Sequence, residues 1–241
     1  MKLVVDTHVH TLVSGHAYST IQETVSAAGE KCLEMIALTE HGPAMPGAPH
    51  RIYFGNLRVI PPAISGVKIL RGVEANVIDL KGTLDLDDRA LKKLDFVIAG
   101  FHDIILSAGG VVANTSALVR VIANPLVDAI SHPINPSFAL DISEVVKAAL
   151  EYDKLLEINN NWISLRPDSR ENYRKMAELC AEADIPLICG SDSHISFDVG
   201  NFGNSLSVLD EARFPERLVL NTSAHALMAH LNKSRKRERG S

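Results

Sequence analysis

Cysteine is scarce in this chain of 241 residues: Cys32, Cys180 and Cys189 stand far apart, and no CxxC pair occurs. An odd, dispersed set of this kind reads as buried small hydrophobes in a reducing compartment. Long hydrophobic runs are missing too. No apolar stretch approaches the ~20 residues of a membrane span, and the first residues lack a signal-peptide pattern, so a soluble, cytoplasmic protein is expected. Excess positive charge is also absent: the formal net charge is -5, which argues against a general nucleic-acid binder with its basic face. The exception is Lys233-Ser234-Arg235-Lys236-Arg237-Glu238-Arg239, read as a solvated terminal run. Low-complexity segments are absent, and 46% hydrophobic content suffices for a substantial core. The expectation is one domain over residues 1–232, followed by a disordered basic tail over 233–241.

What the chain does contain is histidine in a pattern. Asp6-Thr7-His8-Val9-His10 ends the first apolar run, and His16 follows six residues later. On a strand, the period of two places Asp6, His8 and His10 on one face, so two imidazoles can converge on one cation. Asp6 would stand behind them and take the free ring N–H of a ligand histidine. Near the other end, Ile188-Cys189-Gly190-Ser191-Asp192-Ser193-His194 repeats the plan, with Asp192 and His194 two residues apart. The pair of motifs suggests that the first and last strands lie side by side, as in a closed barrel.

Between them the pattern is regular. Thr20-Ile21-Gln22-Glu23 has the form of a capping box, and predicts a helix to about Lys31. Strands are predicted at 3–9, 35–39, 67–77, 96–99, 129–131, 155–158 and 185–189, separated by helices near 53–60, 88–94, 115–123, 143–152 and 169–183. Weaker elements at 206–212 and 217–220 lead to a last helix from Ser223 to about Leu231. Seven short strands, apolar throughout rather than alternating, are the mark of a parallel sheet buried on both faces. Polar residues cluster where these strands end: His41, Glu74, His102, His132, Asp192 and His194. In a barrel those ends form one ring, and the mouth they surround is where barrel enzymes keep their chemistry.

With His8, His10 and His16 the ring holds nine candidate ligands, seven of them histidines, and only His50, His225 and His230 fall outside it. No packing argument calls for an imidazole at the end of strand after strand, whereas a polynuclear metal site does. Three ions would use all nine if Glu74 bridged two of them.

The H-x-H after strand one, T-E-H after strand two, G-x-E of strand three, G-F-H of strand four, S-H-P of strand five and closing G-S-D-S-H together resemble the polymerase and histidinol phosphatase (PHP) family. The likeness is to its single-domain phosphatase branch, and covers residues 1–232. It implies a distorted seven-stranded (β/α)7 TIM-like barrel with its active site at the C-terminal strand ends. It also implies three divalent ions, zinc by preference, with manganese or iron as alternatives. By position, His8, His10, Glu74 and Asp192 would hold one ion, Glu74, His102 and His132 a second, and His16, His41 and His194 the third, with Glu74, Asp192 and His194 counted as catalytic. The implied activity is phosphomonoester hydrolysis by a metal-bound hydroxide on a small phosphorylated substrate, with nucleic acid not expected as a partner and an oligomer left open.

Other residues have weaker claims. His50 and Arg51 after strand two, and Arg166 after strand six, are candidates for binding the substrate anion, and His50 also for protonating the leaving group. Asn135, Asn159 and Asn160 could bond substrate or serve turns, and Trp162 could cover the site or pack. Arg71, three residues before Glu74, points to the opposite face and suits a structural ion pair. Rival readings are an amidohydrolase-like C–N hydrolase, a nuclease, and a metal-binding regulatory protein without turnover. Against the amidohydrolase, strand four supplies His102 rather than lysine, and no convincing eighth strand follows.

Overall fold

A computed structural model describes residues 1–239, with side chains through Lys233. Eight strands run β1 (Val5–Val9), β2 (Met35–Leu38), β3 (Ala63–Ile64), β4 (Val67–Asn76), β5 (Phe96–Gly100), β6 (Ala129–Ile130), β7 (Leu155–Asn159) and β8 (Leu187–Gly190). All but β3 pair in parallel in the order β1-β2-β4-β5-β6-β7-β8, and β3 forms an antiparallel hairpin with the start of β4. This is the distorted (β/α)7 barrel expected from the sequence. Its strands are buried almost throughout, because helices cover the outside and side chains fill the inside. One set of alternate residues, among them Met35, Ala37, Leu70, Phe96, Ile98 and Ile188, forms an inner cluster with Leu220, Ala224, Leu227 and Leu231. The other set, including Ile36, Leu38, Val73, Val97 and Cys189, packs in the larger outer cluster with the helices.

The strand phase changes inside β1. Val5 belongs to the inner cluster and Val9 to the outer one, and the β1–β2 register shifts between Asp6 and Val9. This bulge overturns the expectation that Asp6 backs the histidines. Asp6 instead accepts backbone N–H bonds from Ser191 at 3.0 Å, Gly200 at 2.8 Å and His8 at 3.3 Å, and so ties down the loop after β8.

Closure between β1 and β8 is incomplete as a ladder. At the mouth, Asp192 N–H donates to His8 O at 2.8 Å and His10 N–H to Ser193 O at 2.9 Å. Lower down, the buried Asn221 side chain bridges the gap. Its amide donates to Val5 O at 2.9 Å and Cys189 O at 2.7 Å, and its oxygen accepts from Cys189 N–H at 2.7 Å. The segment around it stands where an eighth barrel strand would go, but folds into two 3-10 turns, Glu216–Leu218 and Leu220–Thr222.

The helices are α1 (Ile21–Glu30), α2 (Ile52–Asn56), α3 (Asp88–Leu91), α4 (Val111–Ile122), α5 (Ile142–Tyr152), α6 (Asn160–Leu165), α7 (Arg170–Glu182), α8 (Gly203–Glu211) and α9 (Ala224–Arg239). Thr20 and Glu23 form the reciprocal capping box of α1. Helix α4 starts earlier than expected, after Gly110, because Asn114 is engaged elsewhere: its side chain bonds Gly109 and Ala139. Helix α6 was not anticipated. Helix α9 runs past Leu231 into the basic segment; the side chains from 234 on, and residues 240 and 241 of the expected tail, lie outside the described residues. Cys180 and Cys189 are buried, but Cys32 is exposed at the turn after α1, with φ 58°, which corrects the reading of all three as core residues. Arg71 forms its structural pair, with Nε 2.5 Å and Nη2 3.0 Å from the Asp95 carboxylate. No helix among the described residues is long and apolar enough to cross a membrane.

Candidate metal centre

The barrel mouth gathers all nine candidate ligands into one connected cluster. The β1 bulge turns His8 and His10 inward. His16 follows a 3-10 turn that Thr11 caps and Gly15 ends at φ 85°. There Gly15 lies so close to Gly47 that an added Cβ would come within 2.5 Å of Gly47 O, so the loops after β1 and β2 are pressed together. Leu70, Gly72 and Glu74 share the inner face of β4, and His102 and His132 follow β5 and β6. His132 and Asp192 have φ of 27° and 53°, strained for residues other than glycine, and both conformations aim a side chain at the centre.

Glu74 is the hub. Its Oε1 lies 2.6 Å from His132 Nε2 and 3.4 Å from His102 Nε2. Its Oε2 lies 2.8 Å from His41 Nδ1, 3.3 Å from His8 Nε2 and 3.4 Å from His10 Nε2. Asp192 Oδ1 is 3.2 Å from His10 Nε2, 3.5 Å from His8 Nε2 and 3.6 Å from His194 Nδ1. On the outer side His41 Nε2 faces His16 Nε2 at 3.2 Å, and His16 and His194 stack with ring centroids 4.9 Å apart.

Outside this cluster, two buried acids that are not among the nine candidate ligands orient the β1 histidines. Glu157 of β7 places Oε1 2.8 Å from His8 Nδ1, while its Oε2 accepts from His132 N–H at 2.7 Å and Asn159 Nδ2 at 3.0 Å. Glu40 accepts at Oε2 from Ser14 Oγ at 2.6 Å, and Ser14 Oγ in turn lies 3.0 Å from His10 Nδ1. The available signal was a lone carboxylate inside an apolar strand, Leu155-Leu156-Glu157-Ile158, in phase with the inward Leu155.

No ammonium or guanidinium faces Glu74 or Asp192 among the described residues, so imidazoles alone balance them. Burial would raise Glu74, but His8, His102, His41 and His132 hold it well below the usual carboxylate range, and Asp192 is lowered by His8 and His10 against the same burial. Burial also presses on His8, but Glu157, Asp192 and Glu74 outweigh it and hold the ring well above the ordinary imidazole range. The Asp192 and Glu74 carboxylates overcome burial at His10 and carry it to about 9. Burial, reinforced by His10, pushes His41 well down and His194 to about 4.

The donor set fits divalent cations. Three overlapping trios, His10-His41-His194, His8-His10-Glu74 and His41-Glu74-His102, each bring one ligand atom per residue within 4.8 Å of the others. His41 Nδ1 and Glu74 Oε2 are buried with no hydrogen-bond partner at all, the state of two lone pairs that share a cation. Mixed imidazole and carboxylate ligands suit zinc, manganese and iron alike.

The model of the PHP domain matches residues 6–115. A protein of Acetivibrio thermocellus named a probable phosphatase is 49% identical over 239 residues, which span 99% of this chain and 99% of that protein. The chain belongs to the PHP domain family. A probable phosphatase of Thermoanaerobacter sp. is 49% identical over 242 residues, covering 100% of this chain and 98% of the relative, and one of Clostridium botulinum is 44% identical over 231 residues, covering 96% and 95%. Among solved structures, histidinol phosphate phosphatase of Lactococcus lactis, complexed with zinc, L-histidinol and phosphate, superposes with a TM-score of 0.63 at 18% identity over 89% of this chain and 95% of its own. At that identity the likeness establishes the shared fold. In this PHP-domain protein the family's T-E-H motif thus includes Glu40, which the geometry ties to Ser14.

The proposed substrate residues lie apart from the cluster. His50 is exposed, and its Nδ1 accepts from Ile52 N–H at 3.3 Å. Arg51 lines a groove of about 720 Å³ on the outer side of α2 and α3, together with Tyr53, Arg58, Arg89 and Lys93. Arg166 ends α6 and stands 3.7 Å from the Asp168 carboxylate. Asn135 and Asn160 serve turns and packing: Asn135 accepts from Ser137 N–H at 2.9 Å and Asn160 from Asn204 N–H at 2.8 Å. Trp162 reaches the centre, stacked on His132 with centroids 5.1 Å apart. His225 is exposed on α9.

Proposed function

We propose that this PHP-domain protein is a metal-dependent phosphomonoesterase with a trinuclear centre, zinc by preference, held by His8, His10, Glu74 and Asp192, by Glu74, His102 and His132, and by His16, His41 and His194. The observation that carries the reading is the division of labour at Glu74: one carboxylate oxygen faces His132 and His102, the other His41, His8 and His10. A carboxylate so placed is built to bridge. Ions bound there would activate water near neutral pH and neutralise phosphate oxygens.

The chain's own residues then have defined tasks. The rings of His8, His10 and His41 are buried and locked by neighbours, so their nitrogens hold position without reorganisation. His194 and His16 stand at the solvent side of the cluster and meet the substrate first. Trp162 covers His132 and keeps water from one wall. His50, Arg51 and Arg166 remain the proposed contacts for the substrate anion, although Arg51 lines the groove beside α2 and α3 and Arg166 faces Asp168. The substrate class is a small phosphomonoester, in keeping with relatives named phosphatases.

The test is hydrolysis of an aryl phosphate by zinc- or manganese-loaded protein, with an aryl phosphodiester and an aryl amide in parallel. Monoester turnover that disappears on chelation is the expected result. Turnover of the amide or diester alone, or no turnover by fully loaded protein, would overturn it.

A further inference from the structure

Of the seven barrel strands, β7 is the one whose end supplies no ligand to the proposed centre, yet it carries the buried Glu157 and Asn159 at its mouth end. Asn159 donates to Glu157 Oε2 at 3.0 Å and to Asp192 Oδ2 at 3.3 Å, and its oxygen accepts from Trp162 N–H at 2.8 Å. Space for Glu157 is left by Gly190 on β8, where an added Cβ would lie 2.0 Å from Glu157 Oε1 and 2.5 Å from His8 Cβ. The glycine of the closing motif is thus required by a residue on the neighbouring strand.

Resting on the metal-centre reading above, we propose that Glu157 is a positioning residue that sets the tautomer of His8 and couples two of the ion positions. A carboxylate can only accept, so His8 Nδ1 facing Oε1 at 2.8 Å must carry a proton, which leaves Nε2, facing Glu74, His10 and Asp192, as the nitrogen that can coordinate a cation. The second oxygen holds the backbone N–H of His132 at 2.7 Å, at a residue with φ 27°. That bond maintains a conformation the chain would not otherwise favour, and from it the His132 ring reaches Glu74 Oε1 at 2.6 Å. One side chain therefore orients a ligand on each side of the Glu74 bridge.

Glu157→Gln isolates the effect because it preserves shape. If the Gln oxygen keeps the His132 and Asn159 donors, its NH₂ faces His8 Nδ1 and moves the ring proton to Nε2, where it blocks coordination. If the amide flips, its NH₂ confronts two donors instead. Either way one ligand is misplaced, and loss of such an outer partner lowers metal affinity about 10- to 100-fold.

The experiment measures zinc affinity of wild type and E157Q by competition with a chelator, alongside imidazole ¹⁵N and ¹H spectra of the zinc-loaded wild type. The expected result is a 10- to 100-fold weaker zinc site in E157Q, measured on a variant whose circular dichroism matches that of the wild type, and a His8 Nδ1 proton in the wild-type spectrum. Wild-type zinc affinity in E157Q would overturn the proposal, as would a His8 ring protonated at Nε2 in the loaded wild type, a reading that needs no variant. If the wild type itself bound no zinc, the metal-centre reading would fail first and take this one with it.

Discussion

His41 Nδ1 and Glu74 Oε2 lie 2.8 Å apart at the centre of the barrel mouth, both buried, and no hydrogen bond joins them. An unmet pair at this distance costs stability wherever nothing else satisfies it, and a cation shared by the two atoms would satisfy both. The same carboxylate meets four further imidazoles through its two oxygens.

Glu74→Gln keeps the shape of this hub and removes its charge. The amide nitrogen cannot coordinate, so the variant should lose at least one ion per chain and on the order of 100-fold or more in turnover, the cost of deleting one electrostatic stabiliser. Elemental analysis and steady-state kinetics on aryl phosphate check both; wild-type ion content with wild-type turnover would remove Glu74 as a bridge. His225→Ala, exposed on α9, should leave both unchanged.

Chelation should lower activity and thermal stability together. Ions held only by the folded chain stabilise it by mass action, about 2.7 kcal/mol at a free concentration 100 times Kd. For a chain of this size that is roughly 5–10 °C in Tm, recoverable by adding zinc or manganese back. Full activity with less than one ion per chain would contradict this.

Asn221→Ala should unzip the seam between β1 and β8 without touching the ligands. The change removes the Asn221 partner of Cys189 N–H and of Val5 O, while Cys189 O keeps the Thr7 hydroxyl at 3.0 Å, and at 1–3 kcal/mol for a buried group left unsatisfied the loss should be about 3 kcal/mol. A lowered urea midpoint with zinc affinity within a factor of about three is the expected pair of results. An unchanged midpoint would show that the seam closes by other contacts.

Native protein should expose one thiol of three to a maleimide or aromatic disulfide at neutral pH. Cys32 is exposed, whereas burial pushes the Cys180 thiol up to about 12 and Cys189 higher still, with Glu157 adding to the effect at Cys189. Buried thiols give little nucleophilic thiolate, so the other two equivalents should appear only on unfolding. Rapid reaction of all three would mean that the outer core is open on that timescale.

Local rules account for what could be read directly. The Thr20–Glu23 capping box, the short apolar strands and the polar residue at each strand end are all patterns of a few neighbouring residues. The likeness of six such motifs to one family, taken in order, assigned the barrel and its ring of candidate ligands. One error arose where two distant segments meet, and the other at a local turn. Asp6 looked like the partner of the histidines because strand alternation was assumed unbroken, and the bulge between Asp6 and Val9 turned it toward Ser191 and Gly200. Cys32 looked apolar, yet it sits in a left-handed turn at the surface.

The sequence by itself therefore determined the alternation of short apolar strands with helices and the polar side chains at the strand ends, which follow from short-range patterns, and its likeness to one family implied the barrel. Only the tertiary structure decided which acid serves which histidine. Glu157 lies 149 residues from His8 and Asn221 lies 216 from Val5. Such contacts depend on which strands become neighbours, in what register, and where a bulge shifts the phase, and these are settled by packing the whole barrel rather than by any local stretch of chain.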